Sequence, residues 1–361
     1  MTGLYFHIPF CAKKCPYCDF YSVPYRRETV QDYVDAILRN IRQYAVTEPV
    51  DSIYFGGGTP SLLSPAQVSA VLDACVKHFP VEPDAEITLE YNPTGKRDGY
   101  LRELRRTGVN RLSVGTQSFS DEQLRLLGRT HTAEDNRRTV LEAHDAGFDN
   151  ISCDLMLATP GQTEALLAET LEALNALPIT HVSAYMLQIE EGTPLSRDAA
   201  LLSRCPDDDA TVDRYLQAVR TLEAAGLHQY EVSSFARDGR RSVHNLKYWT
   251  CEPYLGIGAG AHSCFGGRRF CVPKDVQAFC AAGRQPVEIL DDHPLDREER
   301  LMLGLRLTDG VPESALTDAA KRCIPPLLQA GYLCRTEAGR IALTPEGFAV
   351  SNAVIAELIG T

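Results

Sequence analysis

Short apolar runs alternate along this chain with longer stretches in which apolar residues return every three or four positions. Residues 4–8, 52–55, 86–90, 111–115, 151–155 and 182–187 read as six strands. Their mostly continuous apolar character suits a parallel sheet buried on both faces. In the first intervening helix, Tyr33, Ile37, Leu38, Ile41 and Tyr44 form one stripe. The second opens with Ser64 as N-cap and Pro65 at its first position. Thr132 caps a later helix that Gly147 closes. Strand-helix alternation of this kind predicts an α/β architecture with right-handed crossovers. Six units suit an incomplete barrel, open on one side. In such a barrel, residues that do chemistry gather on the loops after the strands' C-terminal ends.

Beyond the sixth strand, Asp207, Asp208 and Asp209 precede a helical pattern of Val212, Tyr215, Leu216, Val219 and Leu222 and read as its cap. Residues 229–232 read as a further strand, and the glycine-rich stretch 254–263 as a tight turn or a wrap around a ligand. A boundary at Gln285-Pro286 divides the chain into 1–285 and 286–361. The tail runs helix (301–307), helix (318–328), strand (332–335), strand (340–343), helix (346–358), a winged-helix-like order. Such modules often bind DNA, but this one has no concentrated basic face, which favours an interaction or lid role.

With 361 residues, 44% of them hydrophobic, the chain can bury one large domain and a small one. Its 36 basic and 48 acidic side chains leave a net charge of −12, which repels a phosphate backbone and argues against a nucleic-acid partner. No apolar run is long enough to span a bilayer, and the first residues enter a strand pattern without a signal segment, so the expected location is the cytoplasm. Twelve cysteines are dispersed through a chain of ordinary size, which does not suggest a disulfide framework. Cys75 and Cys153 fall in apolar patterns as packed thiols. Cys205, Cys251, Cys264, Cys271, Cys280, Cys323 and Cys334 lack ligand spacing and receive no role.

Cys11, Cys15 and Cys18, spaced four and three apart where the first strand runs out, differ from the rest. Clusters usually take four cysteines. A triplet suggests a 4Fe-4S cluster with one iron open to a cofactor, as S-adenosylmethionine (SAM) radical chemistry requires. A zinc site completed by His7 is the alternative, ranked lower because paired Cys-x-x-Cys knuckles are absent elsewhere. At the ends of later strands stand Gly56-Gly57-Gly58-Thr59-Pro60, Glu90, Gln117 and Asp154, with Arg129 beyond. Taken singly, each has a bland reading as a turn, a solvated strand end or a helix-surface arginine. A second cluster is His244-Asn245-Leu246-Lys247-Tyr248-Trp249, which holds the only tryptophan. Imidazole can ligate haem iron and flat rings can stack on a porphyrin, although a packed aromatic corner is the commoner use of such a group.

The block from Tyr5 to Phe20, with Gly56 to Pro60, resembles the radical SAM family of oxygen-independent coproporphyrinogen oxidases, most closely its HemW-type haem-chaperone branch. The similarity runs through nearly the whole chain, tail included. It implies an incomplete (β/α)6 radical SAM barrel followed by the small winged-helix-like domain, with a 4Fe-4S cluster on Cys11, Cys15 and Cys18. By the same resemblance, SAM is contacted by Tyr5, Tyr17, Gly57, Gly58, Thr59, Glu90, Gln117 and Asp154, and by Arg129, whose guanidinium fork suits the SAM carboxylate. His-Asn-x-x-Tyr-Trp resembles the branch's haem-binding signature and implies haem contacts from His244, Tyr248 and Trp249. The oxidases carry another cysteine two residues after the triplet, where this chain has Phe20, a departure that favours the chaperone branch. The expected activity is haem delivery to acceptor proteins, respiratory ones among them. The alternative is an oxidase that decarboxylates porphyrinogen propionates. SAM cleavage, a homodimer and visits to a membrane surface stay open at this level.

Overall fold

The computed structural model describes residues 1–94 and 99–360. All six expected strands are present: β1 (Thr2–Ile8), β2 (Val50–Gly57), β3 (Val81–Tyr91), β4 (Arg111–Gln117), β5 (Ile151–Leu157) and β6 (His181–Met186). They pair in parallel, in chain order. The connections carry α1 (Arg27–Ile41), α2 (Pro65–His78), α3 (Tyr100–Arg106), α4 (Ala133–Asp145) and α5 (Glu164–Asn175). Ser64 and Thr132 start α2 and α4 through complete capping boxes with Gln67 and Asp135, each cap contributing about 1 kcal/mol. Gly147 follows α4 at φ 92°, as the closing glycine should.

The sheet extends past both ends of this set. After α6 (Asp208–Ala224), capped by Asp207, come β7 (His228–Gln229) and β8 (Ser234–Ala236), then α7 (Val243–Thr250). Strands β9 (Tyr254–Ile257), β10 (His262–Phe265), β11 (Arg268–Cys271) and β12 (Glu288–Asp291) complete an order of β12-β11-β10-β9-β1-β2-β3-β4-β5-β6-β8-β7. Among the described residues no pairing joins the two ends, so the barrel stays open.

Several expectations change. The strand read at 229–232 is confined to β7, because Tyr230 leaves the pairing line to bond His181 Nε2 through its hydroxyl at 2.8 Å. The glycine-rich stretch is neither a simple turn nor a ligand wrap. It supplies β9, parallel to β1, and a turn packed on protein: a Cβ at Gly258 would lie 2.5 Å from the Tyr33 hydroxyl and 2.6 Å from His7 O. Strand β12 pairs with β11, so the large sheet runs beyond Gln285-Pro286.

The tail follows with α8 (Arg297–Gly304), α9 (Asp318–Gln329), the hairpin β13 (Leu333–Arg335) and β14 (Ile341–Leu343), and two helices, α10 (Pro345–Ala349) and α11 (Ser351–Ile359), in place of the single one expected. Val350, at φ −117° and ψ 25°, breaks that last helix.

Continuous apolar strands are also only half correct. Leu4, Phe6, Ile8, Ile53, Phe55, Leu89, Leu112, Val114 and Val182 form the outer, helix-covered face, each such side chain worth about 1.5–3 kcal/mol of burial. The alternate positions carry buried polar groups: Ser52, Glu86, Thr88, Arg111, Ser113, Ser152, His181 and Ser183. This polar inner face must be satisfied at both ends of the barrel. At the strand starts, Glu86 accepts from the backbone N–H groups of Val243 and His244, both at 3.1 Å, and faces Arg111 at 3.7 Å. A buried carboxylate thus fixes the N-terminus of α7, where the helix dipole favours negative charge.

Replacing Glu86 with Ala strips α7 of that anchor and leaves buried Arg111 without its ion-pair partner. Urea unfolding should show a loss of about 3–5 kcal/mol. A loss under about 1 kcal/mol, the level of an exposed ion pair, would contradict the anchoring role.

Candidate functional site

The loop after β1 carries the three cysteines, and several contacts hold it over the strand ends. Tyr33 of α1 packs edge-on against Phe10 with ring centres 5.3 Å apart and donates to His7 O at 2.9 Å. Phe10 and Cys11 pair in parallel with Val23 and Pro24, closing the loop on itself. Leu195 N donates to Pro16 O at 3.0 Å, tying the segment after β6 to the same loop. Gly128 passes so near that a Cβ there would stand 2.5 Å from Pro16 Cδ, and its φ of 68° also favours glycine.

All three thiols are free and partly exposed. Cys11 Sγ lies 3.5 Å from Thr59 Oγ1, and Arg129 Nη1 donates to Cys15 Sγ at 3.5 Å. Burial raises the Cys18 thiol, and the charges of Cys15 and Cys11 add to that, so the three are within electrostatic reach of one another. Among the described residues no three His, Cys, Asp or Glu side chains meet as a single metal ion requires. A cubane cluster takes each thiolate on a separate iron, so this donor set fits it without convergence on one point. His7, the proposed fourth zinc ligand, is occupied. Its Nε2 donates to Tyr21 O at 3.2 Å, leaving Nδ1 to accept from the Tyr5 hydroxyl at 3.0 Å, and burial pushes its pKa down to about 4.

Beside the loop lie the strand-end groups. Glu90 accepts from Tyr54 OH and from Gly57 N, both at 3.1 Å. Burial, with the charge of Asp154 added, raises its pKa to about 8. Asp154 accepts from Ser113 at 3.2 Å, and burial raises it to about 6. Two half-buried carboxyls held so reluctantly form a site that a cationic ligand would stabilise, and SAM carries both a sulfonium and an ammonium. Gln117 has a left-handed backbone, φ 64°, uncommon for a residue other than glycine. Besides Cys15 Sγ, Arg129 donates through Nη2 to Asn92 Oδ1 at 2.7 Å and to Gly115 O at 2.9 Å, which hold its guanidinium fork in place. Tyr17, buried beside Arg129 and Cys15, has its pKa raised by that burial.

The glycines do less for a ligand than their number suggests. A Cβ at Gly56 would come within 3.0 Å of Tyr5 and Glu90, one at Gly57 within 2.8 Å of the His7 ring, and one at Gly58 within 2.9 Å of the Phe10 backbone. Their room is taken by the protein's own packing. Tyr54 and Asn92 join the site through Glu90 and Arg129, and His7 through Tyr5 and not as a zinc ligand.

The aromatic motif lies at the other end of the strands. Helix α7 begins under Ser52 and Glu86, about 15 Å along the strands from the cysteine side at 3.3 Å per residue. His244 is fully buried against Tyr54, with ring centres 5.1 Å apart, and Tyr5. Both its nitrogens are engaged, Nδ1 with Ser52 Oγ and Nε2 with Tyr248 OH, each at 3.0 Å, and burial lowers its pKa to about 3. Lys247 is buried between Asp51, at 2.7 Å, and Glu252, at 2.9 Å. Tyr248 packs edge-on to Tyr254, 4.7 Å between centres. Trp249 points the other way and lines a cavity against the tail.

The radical SAM superfamily pattern matches residues 5–174, and the HemN C-terminal domain matches residues 292–350. The chain is 33% identical to the Bacillus subtilis haem chaperone HemW over 380 residues, covering 100% of both chains. It is 42% identical to the Escherichia coli haem chaperone HemW over 266 residues, covering 72% of this chain and 69% of that one. To the mouse mitochondrial radical S-adenosyl methionine domain-containing protein 1 it is 37% identical, covering 99% and 87%. The crystal structure of Escherichia coli coproporphyrinogen III oxidase (HemN), a radical SAM enzyme, superposes with a TM-score of 0.82 at 23% identity, over 99% of this chain and 90% of that one, and establishes the fold.

A carboxyl whose folded pKa is raised keeps its proton where the unfolded chain has lost it, so stability falls as pH rises from about 4.5 to about 8. Unfolding of the ligand-free protein across that window should show this decline, and Glu90→Gln should flatten it by up to about 1.4 kcal/mol per pH unit. Parallel pH profiles for the two proteins would show that Glu90 titrates normally.

Proposed function

The chain belongs to the HemW branch of the radical SAM superfamily, and on that premise we propose that it is a haem-binding chaperone that delivers haem to acceptor proteins. The observation that carries the reading is the His244 to Trp249 helix, complete in sequence and held under the barrel by Glu86, in a chain similar along its whole length to proteins named haem chaperone. Cys11, Cys15 and Cys18 hold a 4Fe-4S cluster in this proposal. When bound, it offers an open iron to SAM. Tyr5, Tyr17, Gly57, Gly58, Thr59, Glu90, Gln117, Arg129 and Asp154 form the pocket in which SAM lies. Arg129 would pair with the carboxylate of SAM, while Glu90 and Asp154 would compensate its positive charge. Haem would lie by the opposite end of the strands, near the His244 to Trp249 helix. Phe20, 63% exposed, is where the oxidases carry a cysteine, which weighs against porphyrinogen turnover. No helix among the described residues is long and apolar enough to cross a membrane. We place the protein in the cytoplasm, with respiratory haem proteins as acceptors reached at the membrane surface and a homodimer as one form of the assembly.

Anaerobic reconstitution should give a protein with cluster iron and acid-labile sulfide that binds one haem per chain, read from Soret absorbance. Changing all three of Cys11, Cys15 and Cys18 to Ser should abolish the cluster iron and sulfide. Coproporphyrinogen supplied with SAM and a reductant should release no carbon dioxide. Failure to bind haem in every cluster state contradicts the chaperone reading, and carbon dioxide release would favour the oxidase.

A further inference from the structure

A groove of about 600 Å³ lies between the end of α7 and the tail, with Trp249, Leu301 and Val311 among its apolar walls. The tail has no concentrated basic face in its sequence, yet the fold gathers three of its arginines here. Arg297 and Arg300 come from α8, and Arg340 from just before β14. Their guanidinium groups donate to backbone carbonyls. Arg297 bonds Ala315 O, Arg300 bonds Leu295 O, and Arg340 bonds Asp309 O and Gly310 O. Arg300 donates through Nε at 2.8 Å, which leaves the outer edge of its fork open. Nearby carboxylates are committed elsewhere: Asp309 pairs with Arg241, Glu313 with Arg335 and Glu299 with Arg269. None of the three groove arginines forms an ion pair among the described residues. In a chain with 48 acidic and 36 basic side chains, the groove is a local reversal of sign over an apolar floor.

We propose that this groove docks the haem acceptor through a short segment in which an aromatic or large aliphatic side chain is flanked by carboxylates. The inference deepens the chaperone reading and rests on it. The apolar anchor enters beside Trp249, where an aromatic contact shielded from water contributes most. The flanking carboxylates meet the arginine forks, whose parallel N–H groups match the two oxygens of a carboxylate. Arginine clusters that read acidic motifs are a recurring mode of peptide recognition. A basic segment would meet three like charges, so the groove rejects as well as attracts. Because the whole chain carries a net charge of −12, an acidic segment finds attraction locally, which orients the encounter. Trp249 stands near the end of the helix that His244 opens, so the docked segment lies beside the region assigned to haem.

The chain's only tryptophan lines the groove, so its emission reports occupancy directly. Full-length, cluster-reconstituted protein without haem is titrated with the blocked peptide acetyl-Glu-Asp-Leu-Phe-Glu-Asp-amide, and with a counterpart in which every acid is lysine. The acidic peptide should shift Trp249 emission to saturation, more weakly as salt rises, and the lysine peptide should leave it unchanged. Arg300→Glu and, separately, Arg297→Glu, with circular dichroism unchanged, should bind the acidic peptide about tenfold more weakly. Both variants should bind haem as wild type does, by Soret absorbance. In haem-loaded wild type, saturating acidic peptide should slow transfer to an apo haem protein of the respiratory type about tenfold. No emission change, an equal response to both peptides, or an unchanged transfer rate overturns the docking site and leaves the chaperone reading intact. A tenfold loss of haem affinity in both arginine variants assigns the groove to haem and overturns docking as well. Failure of wild type to bind haem, with peptide binding intact, overturns the chaperone reading, and the docking of a haem acceptor falls with it.

Discussion

The buried polar lining of an open barrel is the constraint on which the rest depends. Strands that carry Ser52, Glu86, Arg111, Ser152 and His181 on one face cannot close on a dry core, because each unpartnered polar group would cost about 1–3 kcal/mol. The chain treats the two ends differently. At the strand starts, Glu86 takes the first N–H groups of α7 and His244 bonds Ser52, so the helix serves as a plug. At the strand ends the carboxyls of Glu90 and Asp154 are half-buried and poorly compensated, and their raised pKa values record what a positively charged ligand would relieve.

This division assigns work to the loops. The cysteine loop is pinned by Tyr33 from α1, by the close pass of Gly128 and by Leu195, so three different crossovers set where its thiols stand. Plug and cysteine loop are joined through the barrel by one aromatic row. Tyr5 stacks towards His244 at 6.2 Å and bonds His7, which in turn holds Tyr21 at the base of the cysteine loop.

Much of this was legible in the sequence. Apolar runs located all six parallel strands within a few residues, and Ser64, Thr132 and Asp207 marked helix starts that the backbone confirms. Residue chemistry at strand ends identified the cysteines and the carboxyls. What could not be read was long-range. The stretch around Gly256 and Gly258 looked like a turn because its partners, β1 and Tyr33, lie more than two hundred residues away. The glycines after β2 read as room for a ligand, and only the positions of Tyr5, His7 and Phe10 show that the protein's own packing already requires them to lack a side chain. Arg297, Arg300 and Arg340 looked dispersed in the tail, and only the fold gathers them at one groove beside Trp249.

The most direct test of the central claim is haem transfer. Haem-loaded, cluster-reconstituted protein, mixed anaerobically with an apo haem protein of the respiratory type, should lose its Soret spectrum as the acceptor gains its own, faster than free haem is lost to a neutral scavenger such as albumin. If the acceptor fills no faster than the scavenger, the protein is a haem binder without chaperone activity, and the account is contradicted at its centre.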